Sequence, residues 1–499
     1  MKHETELRFR QLMKKIDCYN NISNSLSWDM RVALPPAAAE YRGDTMGFLA
    51  NEVHRLKTSE EMKELIGELS EATVTDFILR RMLRKAEKEY GKLTRIPPEL
   101  FSEYAAHNLK TELVWQDARA NNDYQSVLPY LKREFDLKKE ISCCLGYSRD
   151  PMTGLMDEWE AGTTRSGIDT LFEELKGTIL PLLKEIQASG KHFDREYIRG
   201  NYPVQAQRGF CREMLRTVGY DFSCGRLDES AHPYTTPNFR TDIRLTTRFF
   251  EDDFTNAAIS CMHEGGHAIH WQHMSPKLDG TTLAVAASLP IDESQSRFLE
   301  NIIGRSRAFW QYFLPVARTY FPEMRELAPE MMYRSLNAVS CGPLRLNADE
   351  LTYNLHIIVR YEIEKLIFDG AVRFEDLPTV WNQKMEEYLG VRPKNDTEGI
   401  LQDMHWFSGY ICYFQSYVLG NCYDGHFLHK MQQDIPDMFE QVRCGQFGDI
   451  IGWLSRNIHQ HAASLTPAEV LEKATGETLS AKRYIDYISE KYKDIYAIF

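Results

Sequence analysis

Apolar residues recur at three- and four-residue spacing along most of the chain. This periodicity predicts amphipathic helices over 6–28, 48–71, 74–93 and 171–189. The breaks between such stretches are short and rich in proline and glycine, and the sequence contains no repeat or long linker. The pattern therefore predicts a mainly α protein that forms a single domain over 1–499, which could be divided into two lobes.

Three stretches in the middle of the chain predict the elements that matter most. Residues 257–274 contain no proline and carry apolar residues at helical spacing, which predicts a helix. Pro290 opens a second helical stretch over 290–313. Polar and apolar residues alternate over 241–250, which predicts a strand. We expect this strand to belong to a small antiparallel sheet beside the first of these helices.

Composition excludes several classes of protein. The net charge of -13 argues against a nucleic-acid partner, and no apolar run approaches the ~20 residues that span a bilayer. The first residues are charged and lack the apolar segment of a secretory signal, so we expect a cytoplasmic protein. The ten cysteines include no CxxC pair, which favours reduced thiols over disulfides or a structural zinc site.

The sequence HEGGH covers residues 263–267 inside the first predicted helix. Residues four apart lie on one face of a helix, so His263 and His267 can reach the same metal ion. Glu264 is then turned toward a water molecule at that ion, as in zinc peptidases. The motif predicts a peptide hydrolase in which Glu264 takes a proton from the water and later gives it to the leaving amine.

A catalytic zinc ion usually has a third protein ligand. The second helical stretch offers Asp292, Glu293 and Glu300, and spacing does not choose among these carboxylates. Each could equally be a solvated or helix-capping group, and Asp292 in particular suits the first turn of a helix.

The chain resembles the carboxypeptidase Taq family of thermostable metallocarboxypeptidases, on motifs that recur in the same order from end to end. These are His232-Pro233-Tyr234 in the place of His-Pro-Phe, Asp242, Arg244 and Thr246 of DxRxT, HEGGH, the ESQSR segment that begins at Glu293, Arg345, Ala348 and Asp349 of IRxxAD, and GxxQDxHW from Gly399 to Trp406. The segment around Trp28 and Asp29 is also similar to the family.

The resemblance implies a large helical, neurolysin-like metallopeptidase fold with a deep central groove. It implies Glu293 as the third ligand, a Zn²⁺ ion that Co²⁺ could replace, and a homodimer. The implied activity is the release of single residues from the free C-terminus of peptides, with broad preference and poor action next to proline.

Further roles follow from the matched motifs. The resemblance points to Tyr413 as the donor that stabilises the oxyanion, with Tyr417 as the alternative. Core packing is the other interpretation of both tyrosines. Gln402 and Asp403 are expected to support the site from behind.

A carboxypeptidase must recognise a free carboxylate, which arginine does best through paired hydrogen bonds. Arg345 and Arg244 are the candidates from the matched motifs. Arg345 could instead form an ion pair with Asp349 on a helix surface. His232 and His405 are expected to contact the peptide or to satisfy buried polar neighbours.

The chain also departs from the family pattern at three places. Asp292 stands where the family has histidine, and Cys412 to Gln415 read CYFQ where it has Gly-Tyr-Phe-Pro. His270 replaces an aromatic residue and could compete as a ligand, but it lies ~10 Å along the helix from His263, so a supporting or packed role is favoured. Cys261 points away from His263 and is expected in the core.

Two other functions are compatible with the same motifs. An endo-oligopeptidase or dipeptidyl carboxypeptidase would use the same metal helix. A non-catalytic peptide-binding scaffold could keep the fold, although the intact HEGGH motif with Glu264 argues against it.

Overall fold

Helices carry most of the chain in the computed structural model, which describes residues 2–498. The prediction of a mainly α protein is confirmed. No helix within 2–498 is long and apolar enough to cross a membrane. The α-helices are α1 Lys2–Val32, α2 Ala39–Lys57, α3 Glu60–Glu71, α4 Phe77–Arg95, α5 Pro98–Asn121, α6 Tyr124–Cys144, α7 Pro151–Trp159, α8 Arg165–Ala188, α9 Val204–Val218, α10 Phe254–Gln272, α11 Leu289–Arg297, α12 Arg307–Tyr320, α13 Pro329–Leu336, α14 Glu350–Phe368, α15 Leu377–Leu389, α16 Gln415–Asp434, α17 Met438–Arg443, α18 Gly448–Asn457, α19 Pro467–Thr475 and α20 Lys482–Tyr496.

Two predicted helices are divided in the structure. The stretch 48–71 is interrupted because Ser59 accepts a hydrogen bond from the backbone N–H of Met62 over 3.1 Å and caps α3. The stretch 290–313 is interrupted after α11, where the chain widens into a π turn over Phe298–Ile303. Ser306 then caps α12. Local capping groups of this kind override a continuous apolar pattern.

Three short strands form one sheet: β1 Gly225–Glu229, β2 Thr235–Phe239 and β3 Asp242–Thr247. β3 lies in the middle, antiparallel to β2 and parallel to β1. The prediction of an antiparallel sheet was therefore wrong for one of the two pairings. The chain reverses twice between β1 and β3, so these two strands run in the same direction.

The chain forms two units, each built from three separate segments. The described parts of the first unit are 2–94, 194–336 and 426–478, and this unit contains the sheet and α10. The second unit contains α5 to α8, α14, α15 and α20, and α16 contributes residues to both. A single domain with a central groove stays a prediction.

A cluster of aromatic rings anchors the start of α10 in the first unit. The ring centroid of Phe254 lies 5.9 Å from Phe210, 6.2 Å from Trp310 and 4.9 Å from Phe321. All four side chains are buried. Burying each such side chain contributes about 1.5–3 kcal/mol, so the helix that carries HEGGH is fixed firmly at its first turn.

Candidate metal centre and active site

The helix α10 carries HEGGH, and its two glycines allow close packing. Asp253 caps the helix by accepting a hydrogen bond from the backbone N–H of Thr255 over 3.0 Å. A Cβ atom at Gly266 would lie 2.3 Å from the carbonyl oxygen of Gln295 and 2.6 Å from the Cα of Ser296. The absence of a side chain at Gly266 therefore lets α11 approach the backbone of α10.

This close approach brings together three side chains that could hold a metal ion. Glu293 Oε2 lies 3.8 Å from His263 Nε2 and 3.6 Å from His267 Nε2. One donor atom from each of the three residues lies within 4.8 Å of the others. Glu300 lies at the Nδ1 edge of the His263 ring, and Asp292 lies at the Nδ1 edge of the His267 ring. Of the three carboxylates that spacing left open, Glu293 is the one that faces both Nε2 atoms.

Each imidazole has a second carboxylate behind it. His263 Nδ1 lies 2.8 Å from Glu300 Oε2, and His267 Nδ1 lies 3.1 Å from Asp292 Oδ2. Arg305 in turn donates to Glu300 over 3.1 Å. The contact at His263 has the geometry of a hydrogen bond, whereas that at His267 is an ion-pair contact. A carboxylate close to Nδ1 favours a proton on that nitrogen and leaves the lone pair of Nε2 directed at the other donors.

Asp292 lies in the first turn of α11, as its sequence position suggested, but the interpretation of its side chain as a helix cap was wrong. Ser288 caps α11 by accepting a hydrogen bond from the backbone N–H of Ile291 over 3.2 Å. The Asp292 carboxylate is free of that role because capping takes place four residues earlier. It points instead toward the imidazoles of α10.

The charges around the donors favour a cation. Burial alone would raise the pKa of Glu293, but the guanidinium of Arg297 at 2.8 Å and the two imidazoles hold it at about 2. Burial opposes protonation of His263, yet Glu293 and Glu300 raise its pKa above the ordinary value. Anionic carboxylates that pull a proton onto a buried imidazole would equally stabilise a metal ion there. The donor set of two imidazoles and one carboxylate fits a catalytic divalent metal.

Glu264 lies next to the donor group without belonging to it. Its side chain is buried, and Oε2 accepts a hydrogen bond from Thr235 Oγ1 over 2.7 Å. Burial raises the pKa of Glu264, and the imidazoles of His263 and His267 oppose this rise. Thr235 is the first residue of β2, so the sheet positions this carboxylate. A raised pKa suits a group that must both accept and return a proton.

Arg345 lies in the second unit and forms a buried ion pair. Its Nε and Nη2 atoms donate to Asp403 Oδ1 over 3.1 and 2.9 Å. Its backbone N–H donates to Gln402 Oε1 over 2.9 Å. Asp349 caps α14 instead, accepting from the backbone N–H groups of Leu351 and Thr352. The alternative of an ion pair between Arg345 and Asp349 was therefore wrong.

A second arginine shares the same aspartate. Arg360 Nε donates to Asp403 Oδ2 over 2.7 Å, and its side chain is fully buried. One carboxylate therefore lies between two guanidinium groups. Burial would raise the pKa of Asp403, but Arg345 and Arg360 hold it far below its ordinary value.

His405 and Tyr413 belong to an aromatic cluster of the second unit. The His405 ring stacks on Tyr413 with centroids 5.6 Å apart, and His405 Nε2 lies 3.2 Å from the Tyr417 hydroxyl. Tyr413 also meets the edge of Trp159 at 5.1 Å. Burial lowers the pKa of His405 to about 3, so its imidazole is neutral at physiological pH.

The departures at Cys412 and Gln415 have a structural meaning. Cys412 has a φ of 54°, in the left-handed region that favours glycine. Gln415 is the first residue of α16, a position that suits proline. The backbone at these two positions is therefore of the kind that glycine and proline would favour.

Two other predicted substrate residues, Arg244 and His232, make contacts in and next to the sheet. Arg244 Nε and Nη2 each donate to Asp242 over 2.8 Å on the same strand. His232 is exposed, and its backbone carbonyl accepts from Ser230 Oγ over 2.6 Å. Their contact with a peptide stays a prediction.

Sequence reasoning missed the residues that hold the site in place. Thr235 was visible only as the residue after His-Pro-Tyr, and Arg297 only as the end of ESQSR. The expectation that Cys261 lies in the core is confirmed, since it is fully buried.

The helical fold, with its group of imidazole and carboxylate donors beside Glu264, defines a metallopeptidase. A family model described as "Carboxypeptidase Taq (M32) metallopeptidase" matches residues 8–492. The chain belongs to this family, as its motifs indicated.

Individual relatives agree with this assignment along the whole chain. The chain is 38% identical to "Carboxypeptidase 1" of Bacillus subtilis (strain 168), covering 99% of each sequence. It is 35% identical to "Thermostable carboxypeptidase 1" of Thermus thermophilus, covering 94% of each. Among solved structures, the M32 carboxypeptidase from Deinococcus radiodurans R1 superposes with a TM-score of 0.96 at 33% identity, over 99% of this chain and 100% of that chain.

Family membership makes the protein a metallocarboxypeptidase, a hydrolase that acts on peptides. It also implies a divalent metal ion. The alternative of a non-catalytic scaffold is thereby wrong.

Proposed function

We propose that this protein is a zinc carboxypeptidase that releases single residues from the free C-terminus of peptides with broad specificity. His263, His267 and Glu293 would hold the ion. The observation that carries the proposal is the convergence of three donor atoms within 4.8 Å, in the only such donor group among the side chains that the structure describes. Two histidines and one glutamate are the ligands of many zinc peptidases, and cobalt would occupy the same site.

When bound, a zinc ion supplies Lewis acidity toward water and toward the scissile carbonyl. Glu264 would take a proton from the attacking water and return it to the leaving amine. Its place beside the donors, and the hydrogen bond from Thr235, support this role because they keep the carboxylate in one orientation.

The cluster around Asp403 supports a role for Arg345 in recognising the substrate carboxylate. Arg345 and Arg360 share one aspartate, so a positive charge is left over. A buried excess charge is costly unless an anion neutralises it, and the C-terminus of a peptide is such an anion. This arginine pair supports recognition of a free C-terminal carboxylate, the feature on which an exopeptidase depends and an endopeptidase does not.

The remaining roles rest on the family resemblance. Tyr413 is proposed as the donor to the oxyanion, and Tyr417 is the alternative, although its hydroxyl lies 3.2 Å from His405 Nε2. Arg244, His232 and His405 are proposed to contact the peptide. A homodimer and a cytoplasmic location also stay predictions, and light scattering of the purified protein tests the first.

The test compares an unblocked peptide of ~10 residues with its C-terminally amidated twin, followed by mass spectrometry over time. We expect a ladder of single-residue losses from the C-terminus of the free acid only, lost with a chelator and restored by zinc. Internal cleavage or two-residue steps would support an endo-oligopeptidase or a dipeptidyl carboxypeptidase instead.

Two variants assign the residues in the same assay. Glu264→Gln should keep the zinc content and abolish the ladder, since the amide cannot accept the proton. Arg345→Lys should slow cleavage of the free acid, because a point charge replaces the paired donors. An Arg345→Lys enzyme with unchanged kcat/KM on the free acid would remove Arg345 from the proposal.

A further inference from the structure

The carboxylate of Asp292 contacts three side chains of α10. Its Oδ2 atom lies 3.1 Å from His267 Nδ1. Its Oδ1 atom lies 2.7 Å from His270 Nδ1 and accepts a hydrogen bond from Trp271 Nε1 over 3.0 Å. His270 and Trp271 follow His267 by three and four positions, so all three side chains lie on the same face of α10.

The groups behind Asp292 have little freedom to move. His270 is only 1% exposed, and its ring lies 5.0 Å from the ring of His459. His459 Nε2 in turn lies 2.9 Å from Gln295 Oε1, on the same helix as Asp292. A continuous chain of contacts therefore runs from Gln295 on α11 through His459 and His270 to Asp292, which is also on α11. These contacts fix the orientation of the Asp292 carboxylate.

Two of the three departures from the family pattern meet in this contact. Asp292 and His270 are twenty-two positions apart in the chain and contact each other directly. Their side chains are complementary, since one accepts and the other donates a hydrogen bond. A change of Asp292 alone would leave the buried Nδ1 of His270 without this partner, which costs about 1–3 kcal/mol.

We propose that Asp292 is a positioning residue for the metal ligand His267, and that His270 acts on the metal site only through Asp292. The inference rests on the proposed metal site. The negative charge of Asp292, 3.1 Å from Nδ1, favours the tautomer and the ring orientation of His267 in which Nε2 is presented to the ion. Glu300 has the corresponding place at His263, with Arg305 as its support.

The experiment measures the dissociation constant for zinc by competition with a chromophoric chelator at fixed pH. Asp292→Asn keeps the shape of the side chain but removes the negative charge 3.1 Å from His267 Nδ1. We expect zinc to bind about 10–100-fold more weakly, as for other residues that orient a ligating histidine. Asp279→Asn is the matched control, because Asp279 lies in the same unit and pairs with Arg240 at 3.1 Å. This control should bind zinc like the parent.

A double-mutant cycle tests the part played by His270. His270→Phe keeps an aromatic ring and should weaken zinc binding less than Asp292→Asn does. In the Asp292→Asn background, His270→Phe should have almost no further effect on zinc binding, because His270 is proposed to act on the metal site only through the Asp292 carboxylate. Independent effects that multiply would contradict a role of His270 through Asp292.

The visible absorption of the cobalt-substituted protein provides a second measurement. A ligand that is held less firmly should alter the band positions in Asp292→Asn and leave them unchanged in Asp279→Asn. If the folded Asp292→Asn protein binds zinc as tightly as the parent and gives the parental cobalt spectrum, the inference is wrong. If the parent itself binds neither ion, the proposed function fails, which is a separate result.

Discussion

The hydroxyl of Thr235 donates a hydrogen bond to the Oε2 atom of Glu264 over 2.7 Å. Thr235 begins β2 and Glu264 lies on α10, so this bond joins the edge of the sheet to the group proposed to move the proton. β3 lies between β2 and β1, which holds β2 in register with Leu245 opposite Thr235.

Thr235→Val keeps the shape of the side chain and removes the donor. A hydrogen bond to a charged group contributes about 1.5–3 kcal/mol, so we expect kcat to fall by about tenfold or more. KM and zinc content should stay near the parental values, because Thr235 is not among the proposed ligands. Thr235→Ser should restore most of the rate. A valine variant with parental kcat would show that the bond does not orient Glu264.

Gly266→Ala tests the close approach of α10 and α11. The new Cβ would lie 2.3 Å from the carbonyl oxygen of Gln295, and backbone cannot turn away as a side chain can. We expect a loss of about 2–4 kcal/mol in the free energy of unfolding, together with weaker zinc binding. Thermal or urea unfolding and chelator competition measure the two effects.

Gly67→Ala is the control for this prediction. Gly67 lies inside α3, and a Cβ atom at this position would have nothing within 4 Å. Alanine there should stabilise the helix by up to about 1 kcal/mol. Equal effects of the two substitutions would contradict the packing argument.

The left-handed conformation of Cys412 predicts an unusual order of variants. Its φ of 54° costs about 1–3 kcal/mol for a residue other than glycine. Cys412→Gly removes this strain and gives up a buried thiol, so stability should stay within about 1 kcal/mol of the parent. Cys412→Val should lose more than about 2 kcal/mol, because a β-branched side chain fits poorly at positive φ.

Cys422→Val provides the comparison, since Cys422 is equally buried but lies within α16. Cys422→Val should lower the free energy of unfolding by less than Cys412→Val does. The opposite order in urea unfolding would show that backbone strain at Cys412 is not the main cause of the loss.

Glu364 predicts a dependence of stability on pH. Its Oε1 atom accepts hydrogen bonds from Trp406 Nε1 and the backbone N–H of Cys412, and burial raises its pKa from 4.5 to about 8. The folded state therefore keeps a proton that the unfolded state loses. Its contribution to stability is complete below pH 4.5 and is lost as the pH rises toward 8.

Glu364→Gln should remove this loss. Relative to the parent, the glutamine variant should gain about 2–4 kcal/mol in the free energy of unfolding between pH 5 and pH 8.5. Glu362→Gln is the control on the same helix, because Lys176 and Lys384 bind Glu362, and its pKa is lowered against the effect of burial. That variant should show no such gain. Parallel pH curves for Glu364→Gln and the parent would contradict the prediction.

The sequence predicted the parts of the site that depend on local periodicity. The spacing of apolar residues predicts that HEGGH lies on a helix, where positions four apart share one face. The mainly helical class of the protein follows from the same kind of spacing. Neither result needs knowledge of distant contacts. The choice of Glu293 came from the family resemblance instead.

What could not be predicted depends on contacts between distant segments. Asp292 and Glu293 are adjacent, and only the packing of α11 at Gly266 decides which carboxylate faces Nε2. Arg345 pairs with Asp403, fifty-eight positions away, although Asp349 is the nearer carboxylate in the sequence. The parallel pairing of β1 with β3 follows from two chain reversals that alternation of side chains does not encode.

The most direct measurement is anomalous diffraction at the zinc absorption edge from crystals of the zinc-loaded protein. The account predicts one strong peak per chain, coordinated by His263 Nε2, His267 Nε2 and a carboxylate oxygen of Glu293, with Asp292 and Glu300 at the Nδ1 edges of the rings. A peak at another place, or one ligated by Asp292 or Glu300 in place of Glu293, would contradict it.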